Sequence, residues 1–360
     1  MRSSGVGTVE GPAQTPTRAQ KGPTPASEIT QNRDADSVWQ HPSAPIPVQG
    51  PGIGSRLRVS LGQSAHRIFP LILGGAEFGW NTDTAMSHRI LDRYAEFGGN
   101  MVHTSDGFSG GRSEYIIGEW LAQRRLRDDI VVAARVGTHP DNPGLGPVNL
   151  VRAVEATLTR MNIDTIDVLY LHAKDDATAL DDTLATAEWL VEAGKVRTIG
   201  VRGFDAVRLV EARILASAGY PLIEVLDAPY NLLRRAAFDG DLRLVAAAQS
   251  LAVTPSHALE HGFLAGHHRT RADTRQGARG LQLREHVNRR GLKTLKALDA
   301  IAHDVQATPA AVAVAWLLHQ RTITAPIVNA RSVEHVDELM KGVGIDLTRA
   351  HMSDLQRASA

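Results

Sequence analysis

The sequence predicts a (β/α)8 (TIM) barrel, and three observations carry that expectation. From residue 56 onward, short unbroken Val/Ile/Leu runs alternate with amphipathic stretches; the runs number eight; and most recur at the spacing of one βα unit. Continuous apolar runs suit strands covered on both faces, as parallel strands are. The strand ends His103, Arg135, His172, Val201 and Asp227 lie 32, 37, 29 and 26 residues apart. Each interval holds a strand, a crossover helix and two loops. A doubly wound sheet is the alternative, but it would place a G-x-G-x-x-G turn after its first strand. "GGAEFGWN" (74–81) matches that poorly.

The elements follow in order. "RLRVSLG" (56–62) and "HRIFPLILGG" (66–75) read as a β-hairpin running into a first buried strand, "FPLILGG". The remaining strands are "NMVHT" (100–104), "IVVAARV" (130–136), "IDVLYLH" (166–172), "VRTIGV" (196–201), "LIEVLDA" (222–228), "LAVTP" (251–255) and "APIVN" (325–329). Between them, Leu150, Val151, Val154, Leu158 and Met161 share one helical face. Thr308-Pro309 is an N-cap followed by proline at the first helical position. Only the interval from Pro255 to Val328 is long, with room for an inserted loop and an extra helix.

Residues 1–55 hold eight of the 17 prolines and almost no apolar periodicity. Such a segment cannot bury enough to offset its ordering entropy, so a disordered tail is expected there. The barrel is expected over 56–345, with a C-terminal tail over 346–360.

Composition narrows the function. Lys plus Arg and Asp plus Glu number 39 each, so no net charge draws the chain to nucleic acid or membrane. There is no cysteine, which removes disulfides, thiolate catalysis and thiolate-bound metal. No apolar run approaches the ~20 residues of a bilayer span, and the first thirty residues lack a signal-peptide core. A cytoplasmic protein acting on a small molecule is the expectation. The arginine-rich stretch 267–291 reads as a solvated loop over the barrel mouth rather than a nucleic-acid site.

Six stretches in register resemble the aldo/keto reductase family: "GGRSEYIIGEWL" (110–121), "VEATLTRMNIDTIDVLYLH" (154–172), "LVEAGKVRTIGV" (190–201), "PYNLLRR" (229–235), "HGFLAG" (261–266) and "APIVNARSVEHVDEL" (325–339). The resemblance implies a barrel that passes a hydride from NADPH to a carbonyl. Its proton chemistry is run by an Asp-Tyr-Lys-His tetrad, in which a lysine cation lowers the pKa of the tyrosine acid. Here the aspartate position holds His103, the tyrosine position Phe108 and the lysine position Arg135, while His172 keeps the histidine. A phenyl ring has no proton to give.

The cofactor positions implied by the resemblance are also changed at one end. Arg202-Gly203 and Asp227 stand where the family grips the nicotinamide amide with a Ser-Asn pair and a Gln, and Ser256 where an aromatic stacks on the ring. Toward the other end, Leu259, Gly262 and Leu264 resemble the pyrophosphate loop, and Arg331 and Ser332 the 2′-phosphate grip. Glu338 fits the adenine contact, whereas His335 and Leu339 replace a glutamine and an asparagine. An Arg202–Asp227 ion pair filling the carboxamide subsite is therefore expected, with NADP(H) binding weakened or lost.

Each residue also has a bland reading. His103 and His172 are both at strand ends, where a histidine satisfied by a backbone group is common. Arg202 with Asp227 forms a structural pair on that reading. The residue types His103, His172 and Asp227 allow a metal site, but nothing in their spacing brings them to ligand distance, and no metal is expected. Against this, two arginines and two histidines at one barrel mouth suit an anionic substrate. Three readings follow. One is a reductase with altered proton delivery, His172 serving as acid or polarising group, suited to conjugated enones or imines; another is a lyase or isomerase on the same barrel, run by the two histidines. The third is a catalytically inactive homologue that binds through the old site.

Overall fold

A computed structural model describes residues 57–172, 178–275 and 279–360. The expected N-terminal tail lies outside the described residues. The hairpin is present: β1 (Val59–Ser60) pairs antiparallel with β2 (Arg67–Ile68). Gly62 turns it with φ +62°, and a Cβ there would lie 2.7 Å from the Glu224 carbonyl, so the turn is pressed against the barrel floor.

Eight parallel strands follow: β3 (Ile72–Gly74), β4 (Met101–Ser105), β5 (Val131–Val136), β6 (Ile166–His172), β7 (Val196–Arg202), β8 (Ile223–Asp227), β9 (Ala252–Val253) and β10 (Ile327–Val328). They pair in chain order, with β10 beside β3. Thr324 N–H donates to Val253 O and Ile327 N–H to Pro255 O, both at 2.8 Å, which joins the last strands and closes the ring.

Strand alternation sorts the side chains into two cores. Ile72, Met101, Val131, Ala133, Val168, Tyr170, Val225, Ala252 and Ile327 fill the barrel, plugged from below by Leu61 and Ile68 of the hairpin. The intervening residues, among them Val102, Val132, Leu169, Val201 and Leu226, face the helices. The inward row continues upward as His103, Arg135, His172, Arg202 and Asp227. Of the predicted strand-end residues, His103 and Arg135 line the cleft at the mouth, Asp227 is buried beside them and Val201 faces the helices.

The helices α1 (Thr84–Glu96), α2 (Arg112–Arg124), α3 (Pro147–Met161), α4 (Leu180–Glu192), α5 (Ala206–Ser217) and α6 (Asp241–Ala248) each follow one strand. Leu150, Val154, Leu158 and Met161 are buried as the periodicity requires, whereas Val151 is half-buried. The long interval carries α7 (Gly280–His286), α8 (Arg289–Asp304) and α9 (Pro309–Leu318). Thr308 caps α9 by accepting from Ala311 N–H, with Pro309 at the first position. Helix α9 is buried on all sides, from Ala310 to Leu317.

Beyond β10 come α10 (Val333–Lys341) and α11 (Arg349–Ala358). The stretch 346–360, expected as a tail, is thus a packed helix. Leu355 is fully buried, and Arg290, Lys293 and Thr294 of α8 donate to the carbonyls of Ser359, Arg357 and Ala358. Its polar composition hid one buried stripe. Among the described residues no single helix is long and apolar enough to cross a membrane.

Candidate active site

The strand ends and the loops above them enclose a cleft of about 580 Å³. Its floor is His103, Phe108 and Arg135; its far wall is Arg331, Glu338 and the first turns of α10. Of the residues singled out from sequence, Arg202, Leu259 and Gly262 also line it. His172, Asp227, Leu264 and Ser332 do not. Leu264 is fully buried in the outer core, and Ser332 caps α10 by accepting from His335 N–H. His172 stands in register with Arg202 across β6 and β7, half-buried at the rim.

His103 is 3% exposed, its Nε2 has no hydrogen-bond partner, and its ring meets Phe108 and Tyr170 edge-on at 6.1 and 5.5 Å. Burial, reinforced by the Arg135 charge, lowers its pKa to about 3, so the ring is neutral at physiological pH. Arg135 donates to Ser105 Oγ (3.3 Å), and its guanidinium carbon lies 5.1 Å from the Phe108 ring centre. Among the described residues it makes no ion pair. Burial, then the neighbouring Arg202, brings its pKa down to about 10, which leaves it cationic at neutral pH.

No tyrosine replaces Phe108 at the floor. Tyr170, just below His103, is fully buried; its hydroxyl is 2.9 Å from Thr254 Oγ and burial pushes its pKa up. Among the described residues the cleft floor therefore offers a cation and a neutral imidazole N–H or lone pair, but no acid of ordinary strength.

Arg202 and Asp227 form an ion pair, Nη1 to Oδ2 at 2.5 Å. Asp227 is fully buried and its other oxygen accepts Ser256 N–H at 3.2 Å. Burial alone would raise its pKa, but the Arg202 charge, and then that of Arg135, outweigh it and the carboxylate is held ionised. Arg202 also donates to Ser256 Oγ at 2.5 Å and sits 3.3 Å from His257 Nε2. Burial, with the Arg202 charge, lowers the His257 pKa to about 4. A neutral His257 can accept from the guanidinium, so both terminal nitrogens of Arg202 are engaged.

Sequence reasoning missed three contributors, Asp106, His257 and Glu77, and gave Ser256 no part in holding Arg202. Asp106, one turn past β4, is fully buried and accepts from the backbone N–H groups of Gly137, Thr138 and His139 and from Thr138 Oγ. It ties the loop after β4 to the loop after β5. Ser256 and His257 complete the Arg202 network; their signal was "SH" directly after the seventh barrel strand. Glu77, in the loop after β3, is 1% exposed and binds both Arg279 and Arg331. Its place just past a strand end was the available clue.

His257, Glu260 and His261 bring their ligand atoms within 4.8 Å of one another. Glu260 is already committed, however: Arg234 donates to both its oxygens (2.6 and 3.0 Å), Asn231 to one (2.6 Å), and His286 lies 3.3 Å away. Against burial, those hydrogen bonds keep its pKa below the usual carboxylate range. The cluster pins a strained turn, with positive φ at His257, Glu260 and His261, rather than presenting free ligands to a cation.

The buried neutral histidines have a measurable consequence. A histidine whose folded pKa lies below its unfolded value of 6.5 costs stability as pH falls below that value, because only the unfolded chain takes up the proton. The loss continues down to the folded pKa. Between pH 7 and 5, His103 alone accounts for about 2 kcal/mol. Urea denaturation of wild type and His103→Phe at the two pH values should show the variant losing less by that amount; equal losses would mean that His103 is protonated in the fold.

The fold is a parallel (β/α)8 barrel with a cleft lined by arginines and histidines at its C-terminal mouth. Sequence comparison makes the assignment narrower: a model of the aldo/keto reductase family matches residues 70–360, and the chain belongs to that family. It is 28% identical over 336 residues to norsolorinic acid reductase of Aspergillus flavus, covering 88% of this chain and 84% of that protein. It is 27% identical over 324 residues to the aldo-keto reductase ausK of Aspergillus calidoustus (84% and 81%). To an aryl-alcohol dehydrogenase of Pestalotiopsis microspora it is 26% identical over 321 residues (84% and 82%).

Proposed function

We propose that the chain is an NADP(H)-linked oxidoreductase that reduces a small, anionic or conjugated carbonyl compound without the family's tyrosine acid. The observation that carries this reading is the cleft floor: a nearly buried guanidinium, Arg135, beside the unpartnered Nε2 of a neutral His103. Such a pair stabilises negative charge on a substrate oxygen. The electrostatic part of catalysis stays, and the acid's part, typically on the order of 10²–10⁴ in rate, is given up.

The dinucleotide fits the far end of the cleft. Arg331, at the start of α10, and Gly262, whose φ of +96° leaves open space above it, would hold phosphates, and Glu338 would face the adenine. At the near end Arg202 takes the place of the amide-binding serine and is held by Asp227, Ser256 and His257. Weak binding that ignores the state of the ring follows. When bound, the dinucleotide supplies the hydride. The chain's part is to orient the carbonyl oxygen with the His103 N–H and to neutralise it with Arg135. Phe108 shields the site, and the proton comes from solvent.

Turnover of NADPH with a panel of carboxylated and conjugated carbonyl compounds tests this. Activity should be slow, lost in Arg135→Met, and flat in kcat/KM between about pH 5 and 9, since the floor groups titrate near 3 and 10. A bell-shaped profile centred near neutrality would point to a different acid. No turnover of any compound would favour the non-catalytic reading, which the Arg202–Asp227 pair in the amide subsite supports.

A further inference from the structure

We propose that Glu77 sets the dinucleotide preference of this chain by acting as an internal competitor for the ribose phosphate. The inference rests on the nucleotide-binding reading above. Glu77 Oε2 accepts from Arg331 Nε at 2.9 Å and from Asn81 Nδ2 at 2.7 Å, and Glu77 Oε1 is paired with Arg279. The carboxylate is 1% exposed, and its own backbone carbonyl accepts from the N–H groups of Trp80, Asn81 and Thr82, so it is fixed in place. Arg279 is further held over the Trp80 ring, 5.1 Å from its centre.

All three charged groups line the same cleft. Arg331, the cation placed to meet a phosphate monoester on the ribose, is thus already facing a carboxylate. Two arginines and one glutamate leave a net charge of +1. A dianionic monoester entering there meets Glu77 as a like charge and must share or displace its grip on Arg331. An unphosphorylated dinucleotide meets no such competition. The wild-type chain should therefore distinguish NADP⁺ from NAD⁺ by less than about tenfold.

Changing the local charge in both directions tests this, with binding to the full chain read by calorimetry and folding checked by thermal melts. Glu77→Gln raises the net charge to +2 and should tighten NADP⁺ by roughly tenfold or more while leaving NAD⁺ nearly unchanged. Arg279→Gln lowers it to zero and should move the NADP⁺/NAD⁺ affinity ratio the opposite way. A purely structural role for Glu77 would shift both ligands together and would not reverse sign between the variants. If the dinucleotides bind but the ratio stays fixed in both variants, or in Arg279→Gln alone should Glu77→Gln not fold, the role of Glu77 is overturned and the nucleotide reading stands. If neither dinucleotide binds wild type or variants, the nucleotide reading itself fails and this inference falls with it.

Discussion

Replacing Asp227 with alanine should destabilise the folded chain by about 3–5 kcal/mol, the usual cost of leaving one member of a buried ion pair uncompensated. Asp227 is fully buried, and its partner Arg202 is only 12% exposed at its side chain. With the carboxylate gone, the guanidinium keeps Ser256 Oγ and His257 Nε2 as neutral partners but no counter-charge, and Arg135 stands close enough to repel it. The double change Arg202→Ser with Asp227→Gln removes both charges and should recover most of the stability. It also restores amide-binding groups, so it should tighten NADPH. Chemical denaturation with dinucleotide titration on the same three proteins measures both effects. A mild Asp227→Ala variant would mean that the pair contributes little; a double variant as unstable as the single would place the cost elsewhere.

Restoring the tyrosine alone should recover little carbonyl reductase activity. A tyrosine hydroxyl becomes a useful acid only beside a cation held by a carboxylate, and Phe108→Tyr would place it beside Arg135 and a neutral His103. The triple change His103→Asp, Phe108→Tyr, Arg135→Lys rebuilds the whole proton relay. It should still fall short of an efficient reductase by a factor of 10² or more, because Arg202 remains in the amide subsite. Steady-state kinetics with a simple aldehyde decide the matter. An efficient triple variant would show that the nicotinamide end is sound and that the tetrad was the only change.

The barrel was legible because each strand is short, apolar on both faces and spaced by one helix. The inward row of charged strand ends, His103, Arg135, His172, Arg202 and Asp227, could be read from the period-2 alternation. The Arg202–Asp227 pair followed from adjacent strands carrying opposite charges at their ends, and the structure contains it. What escaped sequence reasoning depends on loop conformation. Glu77 reaches Arg331 over 254 residues of chain, and no local pattern encodes such a contact. Asp106 gathers backbone donors from a loop 31–33 residues away. His172 ends a strand at the mouth, as its sequence position indicates, while the cleft beside it is lined by His103 and by the histidines that follow β9. Helix α11, where a tail is expected from sequence, is short and mostly polar, and only Leu355 and Ala358 of its side chains are buried.

The central claim is that the cleft keeps a hold on the phosphate end of a dinucleotide while its nicotinamide end has been rebuilt around Arg202. Titrating the purified protein with NADPH and NADP⁺, followed by its own fluorescence, tests that most directly, with Arg331→Ala as the control. Weak binding is expected, micromolar or above, with nearly equal dissociation constants for the two forms and a further loss of affinity in the variant. A sub-micromolar constant, a large preference for one redox form, or full binding without Arg331 would contradict it.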